Sequence, residues 1–408
     1  MIILYHLFLA LFCFGAHIAS VFNDKAKKWI TGRKGLFKLI EQTVKENEKV
    51  VWFHCASLGE FEQGRPVIEE YKRRKPDSKI LLTFFSSSGY EVRKNYSLAD
   101  YIFYLPVDFR KNAIRFINII KPTAVYFVKY EFWFNYIDIL HLMKIPIYCI
   151  SANFRPNQLF FKWYGKWYKS ILYKFTHIYV QNVRSKDLLA NINIHNVSIS
   201  GDTRFDRVAQ IARQAKSISV IESFKNGSNI IVAGSTWPAD EKYLVKYFNS
   251  NNTKNKFIIA PHEINLLHIE NLIKSITKKT LKYSQANILN PKDFDVLIID
   301  NIGFLSSVYQ YGNIAYIGGG FGKGIHNILE AATFGLPAVF GPNYKKFQEA
   351  IDLVDKGGAF VINNFNSLNK VFDKLTSDIE FFQNAGKSAR DYVFANTGAS
   401  TAILANLK

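Results

Sequence analysis

Cysteine is scarce in this chain. Cys13, Cys55 and Cys149 stand far apart and form no C-x-x-C pair. That excludes a disulfide framework and a cysteine zinc site, and it fits a reducing compartment. Acidic residues are also few: 33 Asp and Glu face 52 Lys and Arg, a formal net charge of +19. No group of acids has metal-ligand spacing, so the expectation is no metal and no other cofactor. Internal repeats are absent. So are a recognised nucleic-acid-binding motif and an isolated basic arm, which sets nucleic acid aside as the anionic partner. The positive excess then points to an acidic membrane surface or an anionic substrate. Because the basic residues are scattered and the composition is lysine-rich, charge alone decides no further.

What is present is a chain of 408 residues, 48% hydrophobic, which is globular and long enough for two domains with separate cores. It begins with an apolar run, residues 2–22, IILYHLFLALFCFGAHIASVF. As a helix this run is about 31 Å long, enough to cross a hydrocarbon core. Lys25, Lys27, Lys28, Arg33, Lys34 and Lys38 follow it. Charge after the apolar run argues for an uncleaved anchor and keeps the bulk of the protein cytoplasmic. A helix lying in the bilayer interface, or one buried in a soluble core, fits the same residues.

Beyond the anchor, apolar runs of strand length alternate with helical patterns, as in α/β folds. Val50–His54 is a buried strand, followed by Ser57-Leu-Gly59-Glu60 and a helix to about Arg74. Ser57-x-x-Glu60 has the form of a capping box. The strand Thr123–Val128 ends in Lys129-Tyr-Glu131-Phe-Trp-Phe-Asn135. Residues 159–175, LFFKWYGKWYKSILYKF, interleave aromatic and basic residues. Base stacking, a membrane interface and a core-packed amphipathic helix are all compatible with them. Gly201-Asp-Thr-Arg204-Phe-Asp206 closes the first half, and Arg204 either meets a phosphate or pairs with Asp202 or Asp206. A second sheet opens with Ile230-Ile-Val-Ala-Gly-Ser235-Thr236, followed by Lys256–Pro261-His262. Ser235 and Thr236 either donate to an anion or cap a helix, and His262 is otherwise an ordinary loop histidine.

Last comes a strand, a glycine-rich turn containing Gly320, and the stretch His326–Ala350, HNILEAATFGLPAVFGPNYKKFQEA. A βαβ unit of this kind frees backbone N–H groups at the helix start for an anion. Asn327 and Glu330 fit an N-cap and its N3 partner; alternatively Glu330 reaches a ribose hydroxyl.

That last stretch resembles the donor-side motif of the 3-deoxy-D-manno-octulosonic acid (Kdo) transferases of lipopolysaccharide synthesis. The likeness runs through most of the chain in order. The resemblance implies a GT-B fold, two Rossmann-like domains facing a cleft, with an N-terminal membrane anchor. It implies transfer of Kdo from CMP-Kdo to a lipid A precursor (lipid IVA), with inversion and without metal. Ser57-Leu-Gly-Glu60 resembles the family's Ser-x-Gly-Glu, which makes Glu60 the general base and places Ser57 and Gly59 on the acceptor side. Lys129–Asn135 is similar to Glu-x-Glu-Leu-Trp-Pro-Asn, but Lys129 replaces the first acid and Phe134 the proline. Glu131 is thus a second candidate carboxylate, and Lys129 a candidate for an acceptor phosphate. Arg204, Ser235, Thr236, Pro261, His262, Gly320, Asn327 and Glu330 fall to the donor side. Gly324-Ile325 stands where the family often has Gly-Gly.

The expected division is an anchor over 1–24, an acceptor domain over 25–206, a linker over 207–228, a CMP-sugar domain over 229–385 and a closing helix over 386–408. The expected partners are CMP-Kdo, the lipid A precursor and the anionic surface of the inner membrane, with the catalytic domains on its cytoplasmic face. A nucleotide-sugar 2-epimerase-like enzyme and an inactive, membrane-tethered nucleotide-binding protein are the competing readings. Neither the number of Kdo units added, nor the acyl and phosphate pattern of the acceptor, nor the oligomeric state follows from the sequence.

Overall fold

The computed structural model describes residues 1–250, 255–301 and 303–405. The chain divides into two compact units. The first holds Met1–Arg207 and takes back the chain from Thr397 onward; the second is Val208–Asn396. Each is a parallel α/β layer structure, and among the described residues each sheet has seven strands.

In the first unit the strands are β1 (Val50–Cys55), β2 (Lys79–Phe84), β3 (Tyr101–Tyr104), β4 (Ala124–Val128), β5 (Ile147–Ala152), β6 (His177–Val180) and β7 (Val197–Ile199). They are ordered β3-β2-β1-β4-β5-β6-β7 and every pairing is parallel. Their sequences are nearly continuous apolar runs, as required of strands covered by helices on both faces. β1 is buried at all six positions.

The second unit contains β8 (Ile230–Thr236), β9 (Lys256–Pro261), β10 (Thr280–Lys282), β11 (Val296–Ile298), β12 (Ile314–Ile317), β13 (Ala338–Phe340) and β14 (Ala359–Val361). The order is β10-β11-β9-β8-β12-β13-β14, again parallel throughout. In both sheets the chain starts near the middle, builds to one side and then crosses to the other. The reversals fall between β1 and β4 and between β8 and β12. Such switch points leave a crevice at the carboxyl ends of the two strands.

The span 207–228 is not an extended connection. It contains the end of a helix, Thr203–Gln214, and a second helix, Ser219–Lys225. The closing segment is also divided. A helix over Ile379–Ala395 lies in the second unit, and a short one, Ala399–Ile403, lies in the first. Asp206 ties that return down by accepting the N–H groups of Gly398 and Ser400, each at 2.6 Å. Residues 406–408, where the expected closing helix ends, lie outside the described residues.

The first helix, Ile2–Ala19, has the length and mean hydropathy (2.0) of a membrane span. It is nonetheless laid along the first unit by one stripe: Tyr5, Leu9, Cys13 and Ala16 are buried or half-buried, at helical spacing. Two polar contacts fasten its start. The Tyr5 hydroxyl donates to Asp108 at 2.5 Å, and the His6 ring meets Asn135 at 3.2 Å. Asp108 is fully buried and also accepts the backbone N–H groups of Asn135 and Tyr136, both at 3.0 Å, opening the helix Phe134–Leu142.

Arg33 fastens the next helix, Asp24–Thr31. Its guanidinium donates to three carbonyl oxygens, those of Trp29 (3.1 Å), Phe85 (2.8 Å) and Leu105 (3.0 Å), and lies 4.0 Å from the centre of the Trp29 ring. Burial lowers its pKa to about 9, which leaves it charged at neutral pH.

The aromatic–basic segment 159–175 divides its residues between two roles. Phe160, Ile171, Leu172 and Phe175 enter the core. Trp163 and Tyr164 stay exposed, at 86% and 54%. Trp167 packs 5.5 Å from Tyr5, so the segment lies beside the start of the first helix.

Burial pushes the Asp108 carboxyl up to about 7, against the pull of its donors. An acid whose pKa rises on folding stabilises the fold below its unfolded pKa and loses that contribution as pH rises through the folded value. Relative to Asp108→Asn, the wild type is expected to lose up to about 1.4 kcal/mol per pH unit between about pH 4 and pH 7. Urea unfolding followed by tryptophan fluorescence measures this in the relevant unit, because Trp29, Trp52, Trp133, Trp163 and Trp167 all lie there. A difference that is flat with pH would contradict it.

Candidate functional site

The β1/β4 switch point collects the acid candidates of the first unit. β1 ends at Cys55, and the chain turns through Ser57 into the helix Leu58–Arg74. Ser57 stands at the N-cap position, but its hydroxyl caps no backbone group. It donates to the Glu60 carboxylate instead. The local pattern predicts a capping box, and the atoms form a side-chain pair that holds Glu60 in place. Gly59, between them, is exposed.

Glu131 follows β4. Its Oε2 accepts the Trp133 indole N–H at 2.8 Å and lies 3.4 Å from His54 Nε2. His54 is fully buried on β1, and its Nδ1 is 2.8 Å from Thr83 Oγ1 on β2. Thr83 in turn accepts the Trp52 indole N–H at 2.7 Å. One proton arrangement satisfies the whole row: Trp52 donates to Thr83, Thr83 to His54 Nδ1, and His54 Nε2–H to Glu131. Glu131 is thus held from the protein interior by a buried polar row, which is how a carboxylate is fixed in orientation. Thr83 and His54 were not among the expected site residues; only His54's position at the end of a strand signalled it.

Lys129 sits on the same rim with a left-handed backbone, φ 65°. Burial holds its ammonium below the ordinary lysine value, while the Glu60 charge pulls the other way; Asp202, Arg204 and Arg155 also act on it. Arg204 is paired with Asp202, its Nε donating at 2.8 Å. The rim therefore carries Glu60, Glu131 and Asp202 among Lys129, Arg155 and Arg204, a mixed-charge surface suited to a substrate with anionic groups.

In the second unit the β8/β12 switch point gathers the rest. β8 ends in Gly234-Ser235-Thr236, with Ser235 left-handed at φ 54°. Thr236 is buried, and its hydroxyl donates to Glu241 at 2.8 Å. Its one hydroxyl hydrogen thus braces the turn. Pro261 is the buried last residue of β9, and the next N–H, that of His262, donates to the Thr236 carbonyl at 2.9 Å. His262 is exposed and forms a ring cluster with Trp237 (4.7 Å) and His326 (4.3 Å). The Trp237 indole donates to His326 Nε2 at 3.0 Å. Burial and the neighbouring His262 push the His326 pKa down, consistent with a neutral ring that accepts this bond. Asp240 closes the turn by accepting the N–H groups of Trp237 (3.0 Å) and Gly319 (2.8 Å) and the Tyr316 hydroxyl (2.9 Å). Trp237, Asp240 and His326 are additions to the expected residues.

Gly320 has a steric reason. A Cβ there would meet the Gly341 backbone N at 2.5 Å, so the loops after β12 and β13 approach more closely than any side chain permits. The expected helix start at Asn327 is corrected. The helix is a single turn, Leu329–Ala332, its N-cap position is Ile328, and no side chain caps it. Asn327 Oδ1 accepts the Leu329 N–H at 3.3 Å, and Asn327 Nδ2 donates to Glu330 at 2.9 Å. The two residues thus associate at the predicted spacing, but through their side chains. One turn carries too few peptide dipoles for an appreciable macrodipole.

The comparisons with known proteins point to one family and one fold. Residues 31–207 match the family model described as 3-Deoxy-D-manno-octulosonic-acid transferase (kdotransferase). A 3-deoxy-D-manno-octulosonic acid transferase of Aquifex aeolicus is 28% identical over 344 residues, 83% of this chain and 89% of the relative. That of Haemophilus influenzae is 25% identical over 371 residues, 88% and 86% of the two chains. Among solved structures, UDP-GlcNAc 2-epimerase from Neisseria meningitidis superposes with a TM-score of 0.61 at 18% identity, covering 88% of this chain and 99% of that one, a likeness of fold alone. Two doubly wound units of this kind are GT-B-like. With residues 31–207 matched by that family model and most of its length similar to such relatives, this chain resembles the Kdo transferases, a glycosyltransferase family.

Proposed function

We propose that this protein transfers Kdo from CMP-Kdo to a lipid A precursor, lipid IVA, in lipopolysaccharide synthesis, with inversion at the anomeric carbon. The observation that carries the reading is the likeness to the Kdo transferases over most of the chain, joined to a carboxylate fixed at the β1/β4 crevice. The acceptor hydroxyl oxygen bonds to the anomeric carbon as the bond to the CMP phosphate oxygen breaks. The bonding pair leaves with CMP, and the hydroxyl proton passes to Glu60. Ser57 orients Glu60 by its hydrogen bond, and Gly59 leaves the approach open. Glu131 is the second carboxylate, steadied by Trp133 and His54.

Lys129 meets an acceptor phosphate. Arg204, Ser235, Pro261, His262, Gly320, Asn327 and Glu330 serve the donor, with Glu330 on the ribose, while Thr236 acts through the turn that it braces. The site of action is the cytoplasmic face of the inner membrane. The large exposed apolar residues of the first helix support this, among them Ile3, Phe8 and Phe14.

Two measurements test the reading. Acceptor-dependent release of CMP from CMP-Kdo is expected to fall about 10²- to 10⁴-fold in Glu60→Gln, the range of a lost general base. Circular dichroism must show the variant folded. Full activity in such a variant would remove Glu60 from the chemistry and leave Glu131 to be tried. The second measurement concerns pH. A lysine held below its ordinary value loses its charge at lower pH, so KM for the phosphorylated acceptor should rise toward alkaline pH in the wild type. Arginine stays charged throughout, so Lys129→Arg should flatten that limb. An unchanged alkaline limb would take Lys129 off the acceptor phosphate.

A further inference from the structure

The first helix does more than present an apolar surface. Between it, the helix Asp24–Thr31 and the turn after β2 lies an open groove of about 570 Å³. That volume falls in the range of sites for small organic ligands, roughly 300–1,000 Å³. Phe12 and Trp29 form its walls and Phe85 its floor, their rings 5.4–5.9 Å apart. Gly15, Ala16 and Ala19 supply little side-chain bulk on the helix side, which keeps the groove open. Its polar lining is Lys25 with Ser86, Ser87 and Ser88.

Three features identify the occupant. The groove adjoins the exposed apolar face of the first helix, so a hydrocarbon chain enters it from a bilayer without crossing water. The Lys25 ammonium complements an anionic headgroup at the end of such a chain, with the hydrogen-bonded hydroxyls of Ser86 and Ser88 beside it, while the Ser87 hydroxyl donates to the Lys25 carbonyl. Phe85 also leads to the carboxylates: its ring lies 4.5 Å from that of Trp133, whose indole donates to Glu131. A chain resting on Phe85 therefore belongs to a molecule whose headgroup reaches the β1/β4 crevice. We infer that this groove holds one acyl chain of the lipid acceptor. The inference rests on the reading of the protein as a transferase to a lipid acceptor, and names the part of the unit that reads the lipid.

Gly15 provides the test. A Cβ at this position meets nothing within 4 Å, so Gly15→Phe fills the groove with no steric conflict at its base. Transfer from CMP-Kdo is measured to the acylated lipid A precursor and to the same disaccharide stripped of its acyl chains. In the wild type the acylated acceptor should have the higher kcat/KM. In folded Gly15→Phe the ratio of the two values should fall at least tenfold, chiefly through KM for the acylated acceptor. An unchanged ratio overturns the groove and leaves the transferase reading intact.

If the wild type transfers to neither acceptor, the transferase reading fails, and the groove is judged by a second readout. A lysophospholipid bearing a doxyl group on its chain should quench the fluorescence of Trp29, taken as the difference between wild type and Trp29→Phe. The quenching should disappear in Gly15→Phe. Absence of quenching in the wild type overturns the groove whatever the substrate.

Discussion

A parallel strand cannot pair with its successor unless the chain first crosses back over the sheet, and that constraint organises both halves of this protein. A sheet begun in its middle has to reverse direction once, and the reversal leaves two strand ends uncovered side by side. β1 and β4 are such a pair, and the Cα partners Trp52–Val125 and His54–Phe127 set their register. Residues more than seventy positions apart in sequence thereby become neighbours, which is how His54 reaches Glu131. β8 and β12 repeat the arrangement, and there Asp240, after β8, accepts the N–H of Gly319, after β12. Neither group of site residues needs a dedicated scaffold; each occupies the crevice that its topology leaves.

Around the first crevice the protein accepts two costly groups. A buried guanidinium and a buried carboxyl each oppose folding unless hydrogen bonds satisfy them. Arg33 is satisfied by three carbonyl oxygens, which belong to the helix Asp24–Thr31 and to the chain just beyond β2 and β3. Asp108 is satisfied by two backbone N–H groups of the helix Phe134–Leu142 and by Tyr5 of the first helix. The pattern is the same in both: one polar group deep in the fold joins an N-terminal helix to the ends of core elements. Arg33 bonds the carbonyl of Phe85, whose ring is the groove floor, so the groove and the β1/β4 crevice share a support.

How far the sequence revealed this depended on the range of the interactions. Strands were legible because burial on both sides makes them continuous apolar runs; Val50–Cys55 and Ile230–Thr236 are examples. Residue associations at three-residue spacing were legible too. Ser57 with Glu60 and Asn327 with Glu330 do meet, because a turn of helix brings such positions together. Which atoms bond was not legible, since a hydroxyl or amide has several partners of similar energy nearby: the Ser57 hydroxyl bonds the Glu60 side chain and no backbone group, while the Asn327 side chain bonds both Glu330 and the Leu329 N–H. Contacts set by tertiary packing left no local mark. Thr83 lies 29 residues from His54, and its role depends on the β1–β2 register. The helices within 207–228 left no comparable mark, because the polar composition of the span reads as a connection until the half-buried face of Thr203–Gln214 is known.

The first helix shows why length and apolarity do not fix orientation. Eighteen residues rise about 27 Å, nearly the thickness of a hydrocarbon core, so composition alone permits a span. A spanning helix would have lipid on every side. This one contacts the first unit from Tyr5, near its start, to Ala19, which lines the groove near its end. Standing it upright in a bilayer would break the Tyr5–Asp108 and His6–Asn135 contacts and leave a buried carboxyl short of a donor, at a cost of about 1–3 kcal/mol for that group alone. It would also remove a wall of the groove. Lying in an interface would cost neither: the buried stripe would keep its partners, and the exposed Leu4, Phe8, Leu11 and Ile18 would be the residues to meet the acyl region. Exposed Trp163 and Tyr164 lie in the segment that packs on Tyr5, so that segment can supply interfacial aromatic rings beside the helix. In that orientation the exposed apolar residues and the wall of the groove are two faces of the same helix.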